Sequence, residues 1–215
     1  MAEPEDNGFA SARSAMVRDQ VAGRGVRDPR VLAALGRVPR ERFVPHDLIP
    51  AAYADHPLPI GLGQTISQPY IVAFMAEASA LEGHERVLEL GSGSGYAAAV
   101  LAELVPEVWG IERQPLLLRQ AQATLAGLSL GHRIHLRDGD GALGWPEAGP
   151  FGAILLSCAV PSLPAALGEQ LLEGGRIVAP VGPENGVQQL VRFTRSGGRL
   201  AQEALLAVRF VPLRH

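Results

Sequence analysis

From residue 86 onward short apolar runs alternate with helix-patterned segments, and this order leaves few folds open to the chain. Val87-Leu88-Glu89-Leu90 and Val108-Trp109-Gly110-Ile111 read as the first two strands, residues 133–136 as a third and residues 152–157 as a more apolar fourth. Helices are expected over residues 96–104, 116–125 and 164–172, the last ended by Gly174-Gly175. Residues 176–181, 187–194 and 205–211 complete the strands, the last two joined through Ser196-Gly197-Gly198. Strands fed by crossover helices pair in parallel, and such a sheet needs helices on both faces. The last two strands are close enough in sequence to pair antiparallel at an edge. The expected fold class is α/β: doubly wound and mostly parallel, with an antiparallel edge and an N-terminal helical extension.

Composition narrows what such a fold would do. The chain has 215 residues and a 47% apolar share, enough for one domain with a modest appendage and a real core. With a net charge of -3 and arginines mixed among acids, no basic stripe forms and nucleic acid is not an expected partner. No basic-then-apolar leader and no run of about 18 apolar residues is present, so no membrane association is expected. The single cysteine, Cys158, fits a reducing cytoplasm; between Ile154-Leu155-Leu156-Ser157 and Ala159-Val160 it reads as a packed, inert thiol. Six scattered histidines and one cysteine offer no zinc-type spacing, so no metal site is expected.

The first 80 residues read differently. Residues 1–8 are polar and expected to fray. Met16, Val17 and Val21 mark a helix that breaks at Gly23-Arg24-Gly25, and Asp28-Pro29 opens a second helix carrying Val31, Leu32 and Leu35. A loop-rich stretch is expected from His46 to Gln64, where Pro57, Pro59, Gly61 and Gly63 fall close together. Loops of that length in a compact domain tend to be functional. Ser67-Gln68-Pro69 then has the form of a helix start with serine as the N-cap, followed by the apolar face Ile71, Val72, Phe74, Met75 and Ala78.

Ligands of open parallel sheets bind beyond the carboxyl ends of the strands, and the first strand-to-helix turn is the usual place. Here that turn is Gly91-Ser92-Gly93-Ser94-Gly95. Glycines there permit positive φ and close approach of the backbone to a ligand. Glu112 ends the second strand 21 residues beyond Gly91, where a carboxylate can accept hydrogen bonds from ribose hydroxyls. The dinucleotide fingerprint is G-x-G-x-x-G. In this chain the third glycine comes one residue early and Tyr96 takes the sixth position, which favours a nucleoside ligand without phosphates, such as S-adenosylmethionine, over NAD. Gly139-Asp140-Gly141 after the third strand could face an adenine edge, with Asp138 as a rival and a self-capped turn as the alternative.

The stretch from Val87 to Tyr96 resembles motif I of the protein-L-isoaspartate O-methyltransferases. More specific to that family are Pro57-Leu58-Pro59-Ile60-Gly61 and Gln64-Thr65-Ile66-Ser67-Gln68-Pro69-Tyr70. Arg27 to Leu32, Val38-Pro39-Arg40, Arg42-Phe43-Val44-Pro45, Asp140 to Pro146, Gly174-Gly175-Arg176, Pro180-Val181-Gly182 and Arg209 to Leu213 extend the resemblance from about residue 13 to the C-terminus. Gly152, where the family usually has Asp, and residues 157–161, in place of a more alanine-rich stretch, depart from it. The resemblance implies a Rossmann-like methyltransferase core over residues 81–215, with residues 1–80 as a helical and substrate-loop extension packed on it as one unit. It also implies a cytoplasmic monomer that methylates the free α-carboxylate of isoaspartyl residues in damaged peptides and proteins. The methyl donor would be S-adenosyl-L-methionine, leaving S-adenosyl-L-homocysteine, and no metal would be used.

Carried over by position, Ser67 becomes the active-site serine. Gln64, Thr65, Ile66, Glu89, Gly91, Ser92, Gly93, Glu112, Arg113, Asp140 and Gly141 become the cofactor-binding set. An α-carboxyl group with a pKa of about 3.3 to 3.7 is ionised at neutral pH, so the acceptor needs no general base. Positioning can lower such a barrier by roughly 7 to 11 kcal/mol. Ser67 then reads as a hydrogen-bond donor that orients the carboxylate, with a plain helix cap as the competing reading. A methyltransferase for another carboxylate, a NAD-dependent oxidoreductase and a non-catalytic S-adenosylmethionine-binding module are the alternatives.

Overall fold

The computed structural model describes residues 8–214; the expectation of fraying over residues 1–7 lies outside them. Helix α1 (Phe9–Ala15) passes into a π-helical turn, Met16–Val21, and stops at Gly25 with φ +106°. Asp28 caps α2 (Pro29–Arg37) by accepting the Arg30 amide at 2.8 Å, as the Asp-Pro pair predicts. Two 3-10 segments, Arg40–Phe43 and His46–Ala51, follow.

The stretch expected as loop contains a hairpin, β1 (Leu58–Gly61) against β2 (Gln64–Ile66). Its two-residue turn, Leu62 at φ +51° and Gly63 at φ +70°, has the left-handed pair that matches hairpin twist. Leucine in the first of those positions hides the hairpin from a sequence reading, and Pro59 in a strand reinforces the impression of a loop. The proline is tolerated because the hairpin is a separate two-stranded sheet with an open edge.

After α3 (Pro69–Ala78) come β3 (Arg86–Leu90), α4 (Tyr96–Ala102), β4 (Glu107–Glu112), α5 (Pro115–Ala126), β5 (Ile134–Asp138), β6 (Phe151–Leu156), α6 (Ala165–Glu169), β7 (Leu171–Val181), β8 (Gln188–Ser196) and β9 (Arg199–Val208). The main sheet has the order β5-β4-β3-β6-β7-β8-β9. It is parallel through β7, while β8 and β9 run antiparallel. Strand alternation divides the core in two. Val87, Leu155 and Val178 face a layer built from α2 to α5, and Leu88, Leu90, Ile154, Leu156 and Ile177 face the other side. That second side holds Leu167 of the short α6, so helices cover both faces, unequally.

Three boundaries differ from expectation. The helix expected over 164–172 is only α6, and Gly174-Gly175 lies inside β7 rather than after a helix. A Cβ on Gly175 would come within 2.8 Å of the Gly152 carbonyl, so the glycine admits a close strand approach where the β6–β7 register shifts. Strand β9 begins at Arg199 because Gly197 and Gly198, at φ +60° and +72°, close a tight turn, and its largely exposed residues carry no clear period. Gly152, the departure from the family pattern, lies under Glu85, whose Cγ would be 2.6 Å from any Cβ there. Glu85 is held by the backbone amides of Glu82, Gly83 and His84, so its side chain takes the room an aspartate would need.

Sequence order places the site. The chain runs outward from β3 to β5 and returns to β6 on the other side of β3, so the connections diverge at the carboxyl ends of β3 and β6.

Candidate active site

The glycine turn sits at that divergence, and its three glycines all need their conformation. Gly91, Gly93 and Gly95 have φ of +77°, +53° and +84°. A Cβ would also meet Cys158 Sγ at 3.2 Å from Gly91, Ile60 Cδ1 at 3.2 Å from Gly93, and Leu125 Cδ1 at 3.1 Å from Gly95. The turn is tied to β4 by the amides of Gly91 and Ser92, which donate to the Ile111 carbonyl at 2.9 and 3.3 Å. Glu112 completes the tie. One carboxylate oxygen accepts the Gly93 amide and the other the Gln114 amide, both at 2.8 Å. Each oxygen keeps a lone pair for a further donor.

In front of this turn lies a narrow cleft, lined by Gln64, Thr65, Gly91, Gly93, Glu112 and Gly141 among others. The far wall is the C-terminal segment Val211 to Arg214, held by the Ala159 amide on the Val211 carbonyl and the Leu213 amide on the Ala159 carbonyl, both at 2.8 Å.

A second, wider cleft of about 540 Å³ adjoins the first and is lined by Arg24, Ser67, Gln68, Tyr70, Arg209 and Phe210 among others. Thr65, Ser157 and Val211 border both clefts. Ser67 is not the N-cap of α3. Proline at 69 pushes the preceding residue into an extended conformation, so Gln68 (φ -50°, ψ 138°) is the cap and the helix starts at Pro69. The Gln68 side-chain Nε2 instead donates to the backbone carbonyl and the carboxylate of Asp55, at 2.9 and 2.7 Å. The hydroxyl of Ser67 is therefore free of capping duty.

A buried cation fixes the Ser67 backbone. Arg40 is fully buried; its Nε donates to the Ala52 carbonyl and one terminal nitrogen to the Ser67 carbonyl, each at 2.8 Å. Its guanidinium lies 4.7 Å from the centre of the Tyr96 ring, the first residue of α4 after the glycine turn. Desolvation pulls the pKa of Arg40 down, against the opposing pull of Tyr96. One residue thus joins the Ser67 loop to the helix that carries the glycine turn.

The predicted residues separate into two groups. Gln64, Thr65, Gly91, Gly93, Glu112, Arg113 and Gly141 meet at the first cleft, and Ser67 lines the second. Ile66, Glu89, Ser92 and Asp140 do not line the first cleft. Ile66 is core, Ser92 is buried, and Glu89 is buried beneath the turn. Asp140 accepts the Ala142 amide at 2.8 Å, the self-capped turn weighed from sequence. Asp138 faces Arg113 at 3.7 Å on the exposed rim. Cys158 is packed as expected, and burial pushes its thiol up. Sequence reasoning gave no role to Ser157, Gln114 or the Val211–Arg214 wall; the signal for Ser157 was its place just past the carboxyl end of β6.

Among the described residues, no group of three or more His, Cys, Asp and Glu is placed to hold a metal, and no helix is long and apolar enough to cross a membrane.

Comparison with known proteins agrees with this geometry. A protein-L-isoaspartate O-methyltransferase 2 from Anaeromyxobacter sp. (strain Fw109-5) is 60% identical over 202 residues, covering 94% of this chain and 83% of that protein. Another of the same name, from Marinobacter nauticus, is 56% identical over 95% of this chain and 94% of its own length. A solved protein-L-isoaspartate O-methyltransferase superposes with TM-score 0.85 at 26% identity, over 94% of this chain and 66% of that one. A Plasmodium falciparum protein, crystallised with S-adenosyl-L-homocysteine, shares the fold with TM-score 0.82 at 24% identity, over 94% of this chain and 98% of its own. The family described as protein-L-isoaspartate(D-aspartate) O-methyltransferase matches residues 11–215, and the chain belongs to that family.

Proposed function

We propose that this chain transfers a methyl group from S-adenosyl-L-methionine to the free α-carboxylate of L-isoaspartyl residues in damaged peptides and proteins. The resulting ester recloses to a succinimide, which hydrolyses in part to normal aspartate. The observation that carries the reading is the junction of two clefts, one at the glycine turn and one at Ser67, bordered in common by Thr65, Ser157 and Val211. Relatives at 60% and 56% identity over nearly the whole chain carry the same activity in their names, which supports it.

The first cleft fits the cofactor. Its turn is cleared of Cβ atoms where a ligand would press closest, and the Glu112 lone pairs suit the two hydroxyls of a ribose. Gly91 and Gly93 would face the methionine part, Glu112 the ribose, and Gly141 the adenine. When bound, S-adenosylmethionine supplies an electrophilic methyl on a sulfonium sulfur. The protein's own part is alignment and exclusion of water. Ser67 donates a hydrogen bond to the acceptor carboxylate, and Arg40 keeps the Ser67 main chain in place through its carbonyl. The carboxylate arrives ionised, so no side chain removes a proton from it. In this reading residues 1–80 form the acceptor-side extension and residues 81–215 the cofactor core of one unit, working as a monomer in the cytoplasm.

The test is incubation with methyl-labelled S-adenosylmethionine and matched peptides containing isoaspartate or aspartate. Alkali-labile label on the isoaspartyl peptide alone is the expected outcome. Equal labelling, or label on neither, would remove the proposed acceptor.

A further inference from the structure

Ser157 alone among the described residues borders both clefts and also a third space, a narrow interior void under the junction. Ser67 and Glu89 line that same cavity. The Ser157 amide donates to the Leu90 carbonyl at 2.8 Å, which fixes its main chain to the end of β3. Its hydroxyl donates to Glu89 Oε1 at 2.9 Å. Glu89 is 1% exposed; its second oxygen makes no hydrogen bond of good geometry, and the donor beside it is the buried Ser92 hydroxyl, which has no other partner. Helices α3 and α4 present only Val72, Met75, Ala76, Ala97, Val100 and Leu101 to the cavity. A buried acid with one satisfied oxygen, behind a hydroxyl at the cofactor–acceptor junction, is costly as a purely structural feature.

We propose that Ser157 is a second hydroxyl contacting the acceptor carboxylate, opposite Ser67, and that Glu89 behind it sets where the Ser157 proton points. This rests on the proposed methyl transfer. When Glu89 is ionised, it accepts the Ser157 proton, and the hydroxyl turns lone pairs towards the cleft, which an anionic acceptor does not favour. When Glu89 is protonated, it donates to Ser157 Oγ, and the Ser157 proton is released to the acceptor carboxylate. The exchange is a reorientation of two hydrogen bonds with one proton taken up from solvent. Burial pushes the Glu89 carboxyl up to about 7, partly offset by the Ser157 and Ser92 hydroxyls and reinforced by Glu112. The ionisable groups facing it are Glu112, at the end of β4, and the Cys158 thiol just past β6. Glu112 favours the protonated acid, as a bound acceptor carboxylate would, while the thiol, kept neutral by burial, adds no charge.

The experiment measures KM for an isoaspartyl peptide at saturating S-adenosylmethionine between pH 6 and 8, with the cofactor Kd measured separately. In the wild type KM is expected to rise with pH through this window. Ser157→Ala should raise KM at pH 6 roughly tenfold or more, the scale of a hydrogen bond to a charged group, and flatten the profile. Ser157→Thr, which keeps the hydroxyl, should restore the low KM. Glu89→Gln, whose amide donates to Ser157 permanently, should hold KM at its low-pH value throughout. A Ser157→Ala enzyme with unchanged KM and an unchanged pH profile would overturn the inference while leaving the methyl transfer intact. A wild type that does not distinguish the isoaspartyl peptide from its aspartyl twin would overturn both.

Discussion

The glycine turn and the Ser67 loop meet at one junction but are built by different means. The turn grows from the main sheet: it follows β3, hydrogen-bonds to β4 through its own amides, and is braced by Glu112. The Ser67 loop belongs to no large sheet. It leaves a two-stranded hairpin, enters α3 at a proline, and is fastened by the guanidinium of one buried arginine. The cofactor half therefore follows from topology, as in many doubly wound sheets. The acceptor half depends on a few side chains, and substitutions should separate the two.

The largest effect is expected at Glu112. Glu112→Ala removes the acceptor for the Gly93 and Gln114 amides as well as the proposed ribose contact. With hydrogen bonds to charged groups worth about 1.5 to 3 kcal/mol each, the Kd for S-adenosylmethionine should rise about 100-fold by calorimetry. An unchanged Kd would detach Glu112 from the cofactor half.

Arg40→Lys comes next. A lysine cannot serve both the Ala52 and Ser67 carbonyls from the same buried position, so unfolding free energy in urea should fall by about 2 kcal/mol. Peptide KM should rise by more than the cofactor Kd. A proportionate rise in both would mean that Arg40 supports the two halves equally, through Tyr96 as much as through Ser67.

The smallest effect sharpens the contrast from the stability side. Leu62 is held at φ +51° in the hairpin turn and is largely exposed. Asparagine accepts that conformation more readily, so Leu62→Asn should stabilise the protein by about 0.5 kcal/mol without altering turnover. Lost stability would show that the leucine side chain has a packing role.

The same contrast explains what was legible in the sequence. Strand–helix alternation and the Gly91, Gly93, Gly95 spacing state local rules about backbone and burial, and the sheet, the turn and Glu112 follow them. The hairpin broke those rules with leucine at a left-handed position and proline in a strand, so it read as loop. Ser67 has the residue type of a cap, yet Pro69 moves the cap to Gln68, a shift of one position that changes what the hydroxyl is free to do. Arg40 was beyond pattern reading, and Glu89 was read only as a cofactor-binding residue, because their contacts arise from long-range burial: Arg40 reaches Ser67 across 27 residues, and Ser157 reaches Glu89 across 68. Ser157 itself sat in the segment that departs from the family pattern, where its place just past the carboxyl end of β6 was the one signal it carried.

The most direct test of the division is a single turnover by Ser67→Ala preloaded with labelled S-adenosylmethionine and mixed with an isoaspartyl peptide. Cofactor occupancy should equal that of the wild type while methyl transfer slows by roughly 30-fold, the loss of one hydrogen bond to a charged group. Transfer at the wild-type rate would contradict the assignment of the acceptor half to Ser67.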